Sequence, residues 1–266
     1  MKPEDLEELK AWFSDYVHGF YKRDHDYNRP IRLKEDHTRR VCQNITELGR
    51  ALGLLNHDLV LAETMSLFHD VGRFKQYADH GTFNDRISVN HAKLGIRQLA
   101  TRGVLSVCTK GERRLITKAI AYHNALTLPA GEDEETLFYA RLLRDADKLD
   151  IWKVFIDYYQ ERKTKPNTVV EIGLPDKPLC SQKIIDALNE NRFARMQDLR
   201  TLSDFKLLQI SWVFDLNFAP SFQIVQERAY IDQIAATLPD SKEITAAVDR
   251  ARHHVNRHLS SVVAEN

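Results

Sequence analysis

The sequence predicts an all-α protein. Apolar residues recur at helical spacings along nearly the whole chain, and the alternation typical of strands is almost absent. In the first predicted helix, Leu6, Leu9, Phe13, Val17 and Phe20 fall on one side. Hydrophobic residues make up 43% of the chain and charged residues 29%, which excludes disordered and fibrous proteins and indicates a globular fold.

About ten helices follow from this periodicity. The predicted spans are 4–22, 34–54, 58–69, 89–101, 112–124, 134–161, 181–191, 203–217, 221–238 and 242–258. The polar stretch 23–29 is expected to lie outside helices and to end at Pro30. A polar loop containing Gly81 is expected between the third and fourth helices, and residues 76–88 of it would shape or cover a substrate pocket.

The segment Lys163–Pro178 is the expected domain boundary. It holds three prolines and a glycine, and residues 168–172 within it are expected to form a short extended piece. Residues 1–162 would then form an N-terminal helical domain. Residues 163–266 would form a C-terminal helical extension packed on the same bundle.

Charge and cysteine usage restrict the partners and the compartment. Lys and Arg number 38, as do Asp and Glu, so no net charge attracts nucleic acid or an anionic membrane, and neither is expected as a partner. The three cysteines are far apart and form no CxxC pair, which favours the reducing cytoplasm over a disulfide framework. The N-terminus lacks a signal-peptide pattern, and no apolar run is long enough to span a membrane.

The adjacent pair His69-Asp70 is the most informative feature of the sequence. It lies at the end of an apolar run, where an unpaired polar group is costly. Imidazole and carboxylate together suit Zn, Mn, Fe or Ni better than Ca. The pair is therefore predicted to belong to a transition-metal site that needs further ligands.

The helical spacing of apolar residues indicates the first of these ligands. In the second helix Val41, Ile45 and Leu48 form the apolar stripe, and the position four residues before Val41 is His37, which is predicted to point into the core. The stripe of the helix 112–124 leads in the same way to His123.

The remaining ligands are less sharply defined by phase. His91 lies beside the stripe of its helix, although Gly95 one turn later would let another backbone or a ligand approach closely. The largely apolar helix 134–161 carries Asp145, Asp147 and Asp150, and a metal ion is the simplest means of neutralising buried carboxylates. The residues alone thus predict His37, His69, Asp70, His123 and at least one of Asp145 and Asp147, with His91 as a further ligand.

The order of these residues resembles the HD superfamily of metal-dependent phosphohydrolases, which are all-helical enzymes with the metal at the centre of a bundle. The segment 146–149, ADKL, is similar to the family segment that carries the last aspartate, so the resemblance assigns that role to Asp147. His91 and His123 match the additional histidines of the two-metal members. The resemblance covers about Leu33 to Trp152 and is strongest to bacterial stand-alone HD-domain proteins.

The resemblance implies a metal site, a reaction and a set of functional residues. The implied metal ligands are His37, His69, Asp70, His91, His123 and Asp147, holding one or two divalent ions of Mn, Fe, Ni, Zn or Co, with Mg as an alternative. Hydrolysis of a small phosphorylated substrate by a metal-activated water is expected, with a nucleotide phosphomonoester, anhydride or phosphodiester as the substrate. Asp70, Lys148 and Arg73 are the expected catalytic residues: Asp70 as the carboxylate that bridges the ions if two bind, and Lys148 and Arg73 as cations that stabilise phosphoryl charge.

Several other roles remain open in the sequence. Lys75 and Arg144 are further candidates for phosphate contact, and Asp145 or Asp150 is a candidate for orienting a ligand histidine. Two alternative functions use the same residues: a di-iron oxygenase with a similar ligand set, and a non-catalytic nucleotide sensor. The aromatic-rich C-terminal region favours a homodimer.

Overall fold

The computed structural model describes residues 1–162 and 171–264, and these residues form helices and loops without a strand. The all-α prediction is therefore confirmed. The helices are α1 (Pro3–His18), α2 (His25–Ala51), α3 (Asn56–Phe68), α4 (Val71–His80), α5 (His91–Thr101), α6 (Lys110–Tyr122), α7 (Glu134–Glu161), α8 (Gln182–Asn189), α9 (Leu202–Ser211), α10 (Ala219–Glu227), α11 (Tyr230–Ala235) and α12 (Lys242–Ala264). Short 3-10 helices occur at Val104–Val107, Met196–Asp198 and Trp212–Asp215.

Helix α2 begins well before the predicted start at residue 34. The Asp24 carboxylate accepts hydrogen bonds from the backbone N–H groups of Asp26 at 2.9 Å and Tyr27 at 3.2 Å, and so caps the helix. Most of the stretch 23–29, predicted to lie outside helices, is therefore helical, and Pro30 lies inside α2. Pro30 removes one backbone hydrogen bond near the helix start, and the cap together with the full burial of Ile31 offsets that loss.

Helix α4 occupies residues 71–80, where the sequence predicted a loop between the helices 58–69 and 89–101. Its inner face buries Val71, Phe74 and the polar Gln76, and this glutamine interrupts the apolar pattern that would indicate a helix in the sequence. Gly81 ends the helix in the left-handed conformation, with φ at 66°. Only residues 81–90 form the connection to α5.

The chain divides into two compact units, Met1–Asp150 and Ile151–Asn266. The first unit contains α1 to α6 and most of α7. Its core includes Phe13, Ile45 and Phe68 together with Ile116 and Leu143. The division predicted between residues 162 and 163, and the packing of the extension on the same bundle, stay predictions.

The second unit contains the end of α7 and the helices α8 to α12. The buried Trp152 donates its indole N–H to the carbonyl oxygen of Gln209 at 2.9 Å, and the Tyr159 hydroxyl lies 3.0 Å from the Gln209 side-chain oxygen. The helix predicted over 221–238 is divided into α10 and α11 at Ala229, whose φ is 49°.

The extended piece predicted at 168–172 falls largely outside the described residues. Of this stretch, Glu171 and Ile172 lie in a turn that continues to Gly173. The N–H of Leu174 donates to the carbonyl oxygen of Glu171 at 3.0 Å in this turn. Among the described residues, no helix has both the length and the apolar character that a membrane span requires.

Candidate metal centre

Four histidines and two aspartates converge in the first unit. His37 comes from α2, His69 and Asp70 join α3 to α4, His91 begins α5, His123 directly follows α6, and Asp147 lies on α7. The histidines and Asp70 are buried, and the Asp147 side chain is 15% exposed. The structure thus brings together all six metal ligands that the sequence predicted.

The first half of the cluster consists of His37, His69 and Asp70. The Nε2 atoms of the two histidines are 3.2 Å apart, and they lie 3.6 and 3.7 Å from Asp70 Oδ2. Asp147 Oδ1 is 3.1 Å from His37 Nε2 and 3.6 Å from His69 Nε2. The ligand atoms of His37, His69 and Asp70 are close enough together to hold one ion. We call His37, His69 and Asp70 the first triad.

The second half consists of Asp70, His91 and His123. The Nε2 atoms of His91 and His123 are 3.0 Å apart, and Asp70 Oδ1 lies 3.2 Å from the first and 3.9 Å from the second. These atoms can also hold one ion, and we call the three residues the second triad. Asp70 directs Oδ2 toward one triad and Oδ1 toward the other, the arrangement of a carboxylate that bridges two ions.

The proton on each histidine is fixed by the partner of its Nδ1 atom. His69 Nδ1 lies 2.6 Å from the carbonyl oxygen of Ser66, and His123 Nδ1 lies 2.7 Å from that of Ile120. A carbonyl oxygen can only accept a hydrogen bond, so each Nδ1 carries the proton. In its neutral form, each of these imidazoles therefore presents an Nε2 lone pair to the centre of the cluster.

Carboxylates play the same part for the other two histidines. His37 Nδ1 lies 2.6 Å from Asp150 Oδ2, and His91 Nδ1 lies 2.7 Å from Asp85 Oδ2. Arg40 also binds Asp150 through its Nε and Nη2 atoms. A carboxylate that accepts from Nδ1 fixes the tautomer and makes the imidazole a better metal ligand.

This geometry fits a divalent metal. Buried Nε2 atoms face each other at 3.0 and 3.2 Å, and two lone pairs at that distance repel unless a proton or a metal ion lies between them. The buried Asp147 Oδ1 atom accepts no hydrogen bond from any residue that the structure describes, although His37 Nε2 is close by. A buried oxygen without a partner is costly, and coordination to an ion would satisfy it.

The pKa values show that the cluster attracts positive charge. Although burial raises the pKa of a carboxyl, the charges of Lys34 and His69 hold the pKa of Asp70 well below its usual value. Burial lowers the pKa of His69, but Asp70 and Asp147 outweigh it and raise that pKa. Burial and the neighbouring imidazoles lower the pKa of His123 to about 3, which keeps this imidazole neutral and able to bind an ion.

Two glycines allow α4 to place Asp70 against α5. A Cβ atom on Gly72 would lie 2.1 Å from the backbone oxygen of His91 and 2.6 Å from the nitrogen of Gly95. The close backbone approach predicted at Gly95 is therefore present, and the approaching backbone is that of Gly72. This contact sets the distance between Asp70 and His91.

The comparison with known families agrees with this geometry. Residues 35–152 match the family model of the HD domain. This part of the chain is an HD domain. No curated protein and no solved structure matches the chain significantly.

The match confirms the resemblance to the HD superfamily of metal-dependent phosphohydrolases and nearly coincides with the segment 33–152 that the sequence indicated. An HD domain implies metal-dependent hydrolase activity. The two triads of this HD domain provide ligands for divalent ions.

The structure gives each predicted cation a distinct environment. Arg73 donates from Nη1 to Asp85 Oδ1 at 2.9 Å and to the carbonyl oxygen of Phe83, and its Nε is 3.3 Å from Asp70 Oδ1. Lys148 follows Asp147 on α7 and is buried. The catalytic roles of Arg73, Lys148 and Asp70 stay predictions.

The structure also describes the surroundings of the other candidates. The Lys75 side chain is 39% exposed and pairs with Asp79 at 2.9 Å. Arg144 is buried and donates to the carbonyl oxygens of Tyr122, His123 and Ala125. Asp150 contacts His37 as an orienting carboxylate, and Asp145 is fully buried on the same helix.

Sequence reasoning missed the roles of Lys34 and Asp85. Lys34 lies three residues before His37 on α2, so a helical-face argument would have placed it beside the cluster. Asp85 lies in the connection between α4 and α5, where no periodicity indicates the direction of a side chain. The sequence identified that connection as a pocket-lining loop, and the structure shows that its Asp85 carboxylate contacts the ligand His91.

Proposed function

We propose that this HD domain hydrolyses a phosphate ester or anhydride of a small phosphorylated molecule, with nucleotides as the first substrate class. The observation that carries the proposal is the pair of triads that share Asp70, with one oxygen facing each histidine pair. Two ions held in this way suit the attack of water on phosphorus.

A divalent metal in these triads would supply Lewis acidity, which lowers the pKa of water and polarises a phosphoryl oxygen. The chain contributes the ligands in fixed orientations, because every ligand imidazole has its Nδ1 proton held by an acceptor. Lys148 and Arg73 are the predicted cations for the phosphoryl charge. Arg73 also bridges Asp70 and the loop 81–90, because it contacts both the Asp70 carboxylate and the carbonyl oxygen of Phe83.

A nucleotide is favoured by the aromatic side chains near the ligand cluster. Phe83 is only partly buried, and its ring centroid lies 5.2 Å from that of Tyr77 and 5.9 Å from Lys34 Nζ. A partly exposed ring beside a phosphate-binding cluster suits the base of a nucleotide. A small molecule is favoured over nucleic acid because the chain carries no net charge.

The same donor set also supports a second function, a di-iron oxygenase. Four imidazoles and two carboxylates suit iron as well as other divalent transition metals. The two functions differ in the metal that they require and in the co-substrate that they consume.

The test begins with elemental analysis of protein purified without chelators. The metal-replete protein is then assayed against phosphomonoesters, nucleoside triphosphates and cyclic nucleotides, with Asp70→Ala as the control. We expect release of phosphate or pyrophosphate, or opening of a cyclic nucleotide, and we expect the loss of that activity in the variant. Absence of turnover across the whole panel would refute the proposal, and two bound irons with oxygen consumption would support the oxygenase.

A further inference from the structure

Lys34 is a cation at the metal centre that neither the family match nor the predicted ligand set assigns. Its Nζ atom lies 2.7 Å from Asp70 Oδ2, the oxygen that faces His37 and His69. Its side chain is 18% exposed, so the ammonium group lies at the boundary between the buried cluster and solvent. A substrate that approaches the first triad from solvent would meet this group.

Lys34 has hydrogen-bonding capacity to spare. Asp70 is its single polar partner among the residues that the structure describes, and its Nζ atom lies over the Phe83 ring, 5.9 Å from the ring centroid. An ammonium group has three N–H donors, so two of them remain for another acceptor. Arg73, on the other side of Asp70, already donates from Nη1 to three acceptors.

We propose that Lys34 is a catalytic residue that binds the phosphoryl group of the substrate. This inference rests on the proposed function. The ammonium donates hydrogen bonds to the non-bridging phosphoryl oxygens and opposes the negative charge that develops there. It takes no part in bond breaking and transfers no proton. Asp70 orients it, since a carboxylate oxygen has a lone pair for Lys34 in addition to the one for an ion.

The proposal predicts opposite effects on two kinds of ligand. A positive charge beside the first triad repels a metal ion and attracts an anion. Removal of this charge should leave metal affinity unchanged or increase it, and should weaken the binding of phosphate. A lysine that only supported the fold of the site would, on removal, weaken the metal and the phosphate together.

The experiment compares Lys34→Met with wild type by calorimetry. Manganese is titrated into chelator-treated protein, and inorganic phosphate is then titrated into the manganese-loaded protein. Lys34→Met should bind manganese at least as tightly as wild type, and its phosphate dissociation constant should rise about tenfold or more. Lys34→Arg, which keeps the charge, should restore a large part of the phosphate affinity.

The matched control is Lys153→Met, which removes the charge of an exposed lysine on α7 that pairs with Asp157 at 2.6 Å. It should leave both dissociation constants unchanged. On a substrate that the wild type hydrolyses, Lys34→Met should lower kcat about a hundredfold with little change in metal content.

The outcomes separate this inference from the proposed function. Wild-type protein that hydrolyses substrate, together with a Lys34→Met variant that keeps wild-type phosphate affinity and kcat, would overturn the role of Lys34 alone. A parallel loss of manganese and phosphate binding in Lys34→Met would also overturn it, because that result indicates a structural role. A wild type that neither binds phosphate nor hydrolyses any substrate would refute the proposed function and this inference with it.

Discussion

Replacement of Asp85 by Asn should weaken one metal subsite and spare the other. The Asp85 carboxylate accepts from His91 Nδ1 at 2.7 Å, and it also binds Arg73 and Gln76 at 2.9 Å. An amide in its place can turn its NH₂ group toward Nδ1, which favours the tautomer with the proton on Nε2. That tautomer cannot bind an ion through the atom that faces His123.

The expected magnitude follows from the role of Asp85. Loss of a carboxylate that supports a ligand histidine typically costs about 10- to 100-fold in metal affinity. That range equals about 1.4 to 2.8 kcal/mol for one ion. His37 and His69 have no contact with Asp85, so the first triad should keep its affinity.

Manganese titration of chelator-treated protein provides the assay. Wild type should bind two ions, and Asp85→Asn should bind one ion with unchanged affinity and the other weakly. Asp150→Asn makes the same chemical change behind His37 and should weaken the other subsite. Thermal unfolding of each variant shows whether it is folded at the assay temperature.

A double variant tests directly whether Asp85 acts on the second triad alone. In His123→Ala the second triad is already broken, so the addition of Asp85→Asn should not change the affinity of the remaining ion. If Asp85→Asn weakened that ion as much as it weakens the wild-type site, Asp85 would act on the whole cluster. A single ion in wild type would contradict the two-subsite arrangement itself.

Three further predictions concern stability. Gly72→Ala places a methyl group against the His91 backbone and should cost about 1 to 3 kcal/mol in the free energy of unfolding, whereas Gly131→Ala meets open space and should be neutral by the same denaturant titration. The pKa of Asp85 is lowered from 3.8 to about 2, so its ion pairs stabilise the fold above pH 3.8 and are lost as the pH falls toward 2. In chelator-treated protein, the difference in Tm between wild type and Asp85→Asn should therefore shrink as the pH is lowered from 3.8 to about 2. Addition of manganese at about 100 times its dissociation constant should raise the unfolding free energy by about 2.7 kcal/mol per ion, and an unchanged Tm, or a rise as large in Asp70→Ala, would count against the site.

The ligands could be found from the sequence because each of them lies on a helix or directly beside a helix end. The spacing from Val41 back to His37 and from Ile120 on to His123 carries the direction of each side chain. His91 was harder, since it is the first residue of α5 and its direction depends on the Gly72 contact. That contact joins residues distant in sequence, and no local pattern encodes it.

The errors in the predicted fold have local causes of a different kind. The first residues of α2 are polar, so the sequence placed them outside the helix although Asp24 caps it. The buried face of α4 includes the polar Gln76 beside Val71 and Phe74, which interrupts the apolar pattern, and nothing at Ala229 indicated a positive φ. In each case the tertiary burial of a few side chains decided the outcome, which a single sequence does not show.

The sharing of Asp70 has a consequence for how the protein would load its metal. Each triad contains one imidazole supported by a carboxylate and one supported by a carbonyl oxygen, so the two are closely matched in charge. Asp147 makes the first triad more negative than the second, because its Oδ1 atom lies beside His37 and His69 of the first triad. An extra anionic ligand tightens a cation site, and a first ion repels a second one across a common carboxylate. We therefore expect the first triad to bind its ion before the second triad does. At low metal concentration most molecules would then hold one ion, and the supply of metal would control activity.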